Sequence, residues 1–198
     1  MKLTNVNIYG LYEALTASGL PMKSIYNADQ FAEETEQCYC NEEDNNFTRG
    51  VKLGTVPTGT GHDSFLKLIN VQMNITTSIK VWTEMQRYHF FDIGSSQSTM
   101  HRAAKMNIKE CCNSFVDSRI IDILKDLQDK YNSNTINFEQ FVYNIPVGFE
   151  LTARVTTNYL QLKTIYHQRK NHKLTEWRDF CAYVKENIYG FKELCLGE

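Results

Sequence analysis

Three polar clusters in the 198-residue chain have residue types suited to binding an anion or moving a proton. The first is Gly61-His62-Asp63-Ser64, a turn that runs into a short helical segment. The second is Arg87-Tyr88-His89, which continues through Ser95-Ser96-Gln97-Ser98 to His101-Arg102. Hydroxyls and fork-shaped guanidinium groups converge readily on phosphate oxygens, so this run suits a phosphorylated ligand. The third cluster pairs Asn158 with Arg169. At about 100° per residue, Asn158, Ile165 and Arg169 lie within roughly 40° of one another, along a helix stripe about 16 Å long. Each cluster also has a plainer reading. Serine runs cap helices, an isolated imidazole such as His62 or His89 serves as a structural hydrogen-bonder, and Arg169 can join Lys170 and Lys173 in solvent.

The elements that must position these clusters follow from periodicity. Ile69, Val71, Met73 and Ile75 alternate with Asn70, Gln72, Asn74 and Thr76. Phe149, Leu151, Ala153 and Val155 alternate with Glu150, Thr152, Arg154 and Thr156. Both are half-buried strands, which predicts an α+β fold with a mainly antiparallel sheet packed with helices. A helix over residues 79–89 places Ile79, Trp82, Gln86 and His89 on one stripe. A second, over 118–131, follows an Asp117 cap and buries Ile120, Ile121, Leu124, Leu127 and Tyr131. A third runs between Asn158 and Arg169. A fourth, over 173–189, carries Leu174, Trp177, Cys181, Val184 and Ile188. The acidic stretch from Glu33 to Asn46 reads as a solvated loop, and Gly50–Gly54 and Pro57–Gly61 read as turns. The Lys-Ser/Thr ending of a phosphate-binding P-loop is missing after these glycines.

Composition bounds the rest. With 42% apolar residues and a net charge of −2, the chain is suited to a single compact domain over residues 1–198. That balance argues against a protein built to coat nucleic acid, although Lys163, Arg169, Lys170, Lys173 and Arg178 form a basic group. No apolar run reaches the length of a membrane span or a signal peptide, which points to a cytoplasmic protein without a membrane partner. Six cysteines lack C-x-x-C spacing. They are expected to be reduced thiols with no metal bound, the alternative being a site joining Cys38 and Cys40 to a distant pair.

Taken in order, the three clusters resemble the flavin-dependent thymidylate synthases, the ThyX family. There, a His followed by small or acidic residues and a Phe precedes a strand and then a helix ending in Arg-His-Arg. A Pro, a strand, an Asn opening a helix and an Arg three turns later follow. This chain offers His62-Asp63-Ser64-Phe65, the strand from Ile69, Arg87-Tyr88-His89, Pro146, the strand from Phe149, Asn158 and Arg169, over about residues 61–180. Within the family signature it keeps the first Arg in place, while Ser98 and Arg102 recur at altered spacing.

The resemblance implies one-carbon transfer to a pyrimidine deoxynucleotide, dUMP to dTMP or a related reaction. It implies FAD as cofactor, NADPH and methylenetetrahydrofolate as co-substrates, and a homotetramer. By the same correspondence His62, Ser64, Arg87, His89 and Asn158 contact the flavin. Glu84, Ser98, Arg102 and Arg169 face the nucleotide, with Arg169 also polarising the uracil ring. The alternative is a diverged, non-catalytic homologue that binds a nucleotide without flavin.

Overall fold

Alternating apolar and polar residues build the sheet. The computed structural model describes residues 1–40 and 45–198, with the backbone alone for Cys40. Four strands, β1 (Lys2–Tyr9), β2 (Asn70–Ser78), β3 (Asp92–Ser96) and β4 (Glu150–Asn158), form an antiparallel sheet in the order β1-β2-β4-β3. Val71, Met73 and Ile75 of β2 are fully buried while Asn70 and Gln72 are exposed, as one-sided burial requires. The polar face of β4 is half-covered instead of open. Its Thr152 exchanges a hydroxyl hydrogen bond of 2.7 Å with Thr76, and Arg154 donates to Asn74 Oδ1 at 3.3 Å.

Two strands run directly into helices through a side-chain cap. Ser78 ends β2 and accepts from the Val81 N–H at 3.3 Å to open α4 (Ile79–Met85). Asn158 ends β4 and accepts from the Gln161 N–H at 2.9 Å to open α9 (Tyr159–Arg169). Each cap satisfies an N–H that the first helical turn leaves unpaired.

The chain divides into two compact units. The first comprises Met1–Thr4 and Asn74–Val155. It holds α4, α5 (Thr99–Arg102), α6 (Ile108–Cys111), α7 (Ser118–Asn132) and α8 (Phe138–Val142) around Ala103, Ile108, Leu124, Phe141 and Phe149. Asp117 caps α7 by accepting from the Arg119 N–H at 2.9 Å, as its sequence position predicts. Of the five apolar residues expected inside on α7, Leu124 is fully buried and Ile120 is exposed.

The second unit comprises Asn5–Met73 and Thr156–Glu198. It holds α1 (Leu11–Ala17), α2 (Ala28–Cys40), α3 (Asn45–Gly54), a 3₁₀ segment over His62–Leu68, α9 and α10 (Thr175–Asn187). Its core includes Leu15, Leu66, Tyr159, Trp177, Phe180 and Phe191. Arg49 of α3 donates to Ser18 Oγ and the Leu15 carbonyl, both at 3.0 Å, placing a cation on the last carbonyls of α1.

Three expectations about local structure are corrected. The acidic stretch read as a loop is helical up to Cys40, and Lys23 offsets Glu34 at 2.7 Å; its residues 41–44 lie outside the described residues. Gly50 and Gly54, read as turn residues, lie within α3. A Cβ on Gly54 would sit 2.2 Å from the Leu194 carbonyl oxygen, so glycine serves close packing there. The helix expected to reach His89 stops at Met85, where Arg87 and Tyr88 bond back to Glu84 and Met85 in tighter turns. Among the described residues, no helix is long and apolar enough to cross a membrane.

Candidate functional site

Each unit carries its own share of the residues singled out from the sequence. Glu84, Arg87, His89, Ser98 and Arg102 lie in the first unit, and His62, Ser64, Asn158 and Arg169 in the second.

In the first unit, Ile79, Trp82 and Gln86 recur at i, i+3 and i+7, so they share one face. That face lines a cavity of about 260 Å³, together with Ile93, Ser96, Gln97, Leu151 and Ala153. Its floor is apolar, and amide and hydroxyl groups stand at its rim. The Trp82 indole N–H donates to the Leu151 carbonyl at 3.0 Å, which fixes the ring against β4. Gln97 holds the opposite side: its N–H donates to the Thr152 carbonyl at 2.9 Å and its Oε1 accepts from the Thr152 N–H at 2.8 Å. Arg87 is exposed and directly follows Gln86 of the lining; Ser98 sits between Gln97 and Thr99, which also lines the cavity. Arg102 is exposed at the end of α5, with its N–H bonded to the Ser98 carbonyl at 3.0 Å. His89, beyond the end of α4, packs edge-on against Phe90 and is not among the cavity's lining residues. Glu84 is paired with Lys80 at 3.0 Å, so its charge is partly offset within its own helix.

In the second unit, Gly61 takes φ +85°, a left-handed conformation that turns the chain into the 3₁₀ segment. His62 and Ser64 are exposed on that segment, while Asp63 between them turns inward and is buried. Asp63 Oδ2 accepts from Lys163 Nζ at 2.9 Å, and both side chains are almost fully buried. The same ammonium donates to the carbonyls of Gly54 and Val56 at 2.7 and 2.6 Å. Lys163 therefore binds α9 to the His62 turn and to the end of α3. This pairing crosses 100 residues of sequence. It removes Lys163 from the basic surface group in which the sequence placed it.

Asn158 is buried, and its Oδ1 is committed to capping α9. Arg169, at the other end of the helix, lays its guanidinium 4.7 Å over the Trp177 ring. Stacking uses the face of the guanidinium and not its in-plane N–H groups, so the fork keeps its hydrogen-bonding geometry. Trp177 is fully buried and packs edge-on against Phe180, which makes it a rigid platform. The guanidinium draws the nearby Cys181 thiol down, but burial dominates and pushes it up to about 12. That thiol is no nucleophile at neutral pH. The five cysteines whose side chains are described are free thiols.

The cavity residues Trp82 and Gln86 were visible in the sequence as a helix stripe, whereas Gln97 carried no signal beyond its place in a serine run. The Asp63–Lys163 pair left no periodic or motif signal at all.

No protein-family model matches the chain, and no curated protein matches it in sequence. Solved structures do match in fold. One is the crystal structure of flavin-dependent thymidylate synthase ThyX from Helicobacter pylori complexed with FAD and dUMP. It aligns with a TM-score of 0.74 and 14% identity over 99% of this chain and 98% of that one. A second structure of Thymidylate Synthase X (ThyX) from the same organism, with FAD and dUMP, gives a TM-score of 0.74 and 16% identity over the full length of both chains. At such identity the likeness is one of fold.

Proposed function

We propose that the chain binds a flavin and a pyrimidine deoxynucleotide and transfers a one-carbon unit to the pyrimidine, converting dUMP to dTMP or carrying out a related reaction. The observation that carries this reading is the full-length likeness to ThyX structures holding FAD and dUMP, which agrees with a cluster order read independently from the sequence. The donor chemistry fits both ligands. Arg87, Arg102, His89, His62 and Ser64 are exposed donors of the kind that hold phosphate and pyrophosphate, and Lys80 reduces the repulsion Glu84 would otherwise exert. The apolar cavity over Trp82, with amides at its rim, suits a planar heterocycle.

In this reading His62, Ser64, Arg87, His89 and Asn158 hold FAD, which supplies hydride chemistry when bound. Glu84, Ser98 and Arg102 face the nucleotide, and the two donors among them, Ser98 and Arg102, take its phosphate. Arg169, preoriented on Trp177, donates to a pyrimidine carbonyl and stabilises negative charge as it develops on the ring. No cysteine nucleophile is needed, in keeping with the buried, strongly protonated Cys181. NADPH and methylenetetrahydrofolate are the matching co-substrates, and the assembly is a homotetramer. The localisation that goes with this chemistry is cytoplasmic.

A second reading is nucleotide binding without flavin. It is favoured by one observation: Tyr88 and His89 stand where the family signature has His and Arg, so a guanidinium is lost at that position. Calorimetric titration with dUMP tests the shared part of both readings. Arg169→Ala, at a half-buried position, is expected to weaken dUMP binding at least tenfold while the urea midpoint stays close to wild type. Unchanged binding would remove Arg169 from the site.

A further inference from the structure

The second unit holds another cavity, of about 480 Å³, that shares no residue with the clusters above. It lies where β1 turns into α1, and four tyrosines form much of its wall: Tyr9, Tyr12, Tyr39 and Tyr189. Tyr12 and Tyr39 meet at 4.7 Å between ring centroids, tilted by 58°. Three of these rings are unusually open to solvent, with Tyr9 51%, Tyr39 68% and Tyr189 46% exposed. Single exposed aromatics are ordinary on protein surfaces, but several gathered around one concavity mark a binding surface.

Among the described residues, the formal charge on this cavity's wall is negative. Glu13 contributes a carboxylate to the wall, and no lysine or arginine lines it among the described residues. Thr35 and Tyr39 of the wall belong to α2, which carries Asp29, Glu33, Glu34 and Glu36 and no basic residue; Lys23 offsets only Glu34. The α1 terminus opposes this field weakly, because a seven-residue helix contributes a fraction of a charge against a formal carboxylate. An anion or a phosphorylated ligand is disfavoured here, and so is a purely apolar chain, which four phenols and a carboxylate would serve poorly.

We infer that this cavity is a binding site for a small quaternary or methylated ammonium ion. Tyrosine faces attract such a cation through the ring quadrupole, its methyl groups need no hydrogen bonds, and Glu13 supplies the counter-charge. The chemistry is independent of the flavin reading.

The test uses the full chain and two probes of the same shape: choline chloride and its neutral isostere 3,3-dimethyl-1-butanol. Saturation-transfer NMR of the methyl signals and tyrosine fluorescence follow binding. Choline is expected to saturate, and to bind at least about fivefold more tightly than the isostere, the preference a partly solvated cation–π cage provides. Tyr39→Leu and Glu13→Gln, both at exposed positions, are each expected to weaken choline binding by a similar factor while thermal unfolding is unchanged. Equal binding of both probes, no saturable binding of choline, or variants that bind choline like the wild type would overturn the proposal. So would capture by phosphatidylcholine vesicles without a response to free choline, since the ligand would then be a lipid surface.

Discussion

Asp63→Asn is expected to destabilise the chain by about 3 kcal/mol, because it leaves the buried Lys163 ammonium without a counter-charge. In the native chain that ammonium has three acceptors: Asp63 Oδ2 at 2.9 Å and the carbonyls of Gly54 and Val56 at 2.7 and 2.6 Å. Asparagine keeps an acceptor in place but not the charge, so the cost falls at the lower end of the 3–5 kcal/mol typical for breaking a buried pair. Lys163→Met is costlier, toward about 5 kcal/mol, since it orphans a buried carboxylate and strips two carbonyls of their donor. The sign of the double variant is the informative quantity. With Asp63→Asn added to Lys163→Met no charge is buried, and the double variant is expected to recover about 1 kcal/mol or more relative to Lys163→Met alone. Urea unfolding measures all three, with the single variants shifting the midpoint by roughly 1–2 M. An Asp63→Asn cost below about 1 kcal/mol, or a double variant less stable than Lys163→Met, would refute the assignment of a desolvated, charge-balanced pair. The consequence reaches the site, because His62 and Ser64 flank Asp63 on the segment that this pair anchors.

Two further outcomes follow from the electrostatics. His167 is held below its ordinary value of 6.5, first by partial burial and then by Lys170 and Lys163. The unfolded chain therefore takes up this proton more readily than the native one, and stability is lost as pH falls through the 6.5 region toward the native value. His167→Gln is expected to flatten that part of the pH dependence of the urea midpoint, and an unchanged slope would contradict the shift. Cys181, its thiol pushed up to about 12, is expected to resist brief iodoacetamide treatment of the native chain and to react after unfolding, as read by peptide mass spectrometry. Labelling of native Cys181 at the rate of a free thiol would contradict its burial.

The inner strands and the caps were legible in the sequence because burial is one-sided there. Val71, Met73 and Ile75 alternate, and Asp117 and Asn158 immediately precede helical periods. The outer strands were not legible. In β1 only Leu3 is buried, and β3 reads Asp-Ile-Gly-Ser-Ser with its polar residues exposed, so neither carries a periodic apolar signal. Gly50 and Gly54 misled for a physical reason: their missing side chains make room for Leu15 and Leu194 inside a helix, where sequence alone suggests a turn. Of the candidate site, the cavity wall was legible in the stripe of Ile79, Trp82 and Gln86. The site's fastening was not. Lys163 looks like part of a solvated basic group until the fold brings Asp63 to it, and Arg169 looks solvated until Trp177 comes to lie beneath it.

Flavin and nucleotide binding are read together by reconstituting the purified chain with FAD, removing unbound flavin by gel filtration and recording the absorption spectrum before and after dUMP is added. The yellow flavin band is expected to co-elute with the protein, dUMP to perturb it, and Arg169→Ala to abolish the perturbation while keeping the band. A colourless protein that cannot be loaded with FAD would contradict the flavoenzyme reading. If that colourless protein still bound dUMP, the chain would be a nucleotide binder without flavin.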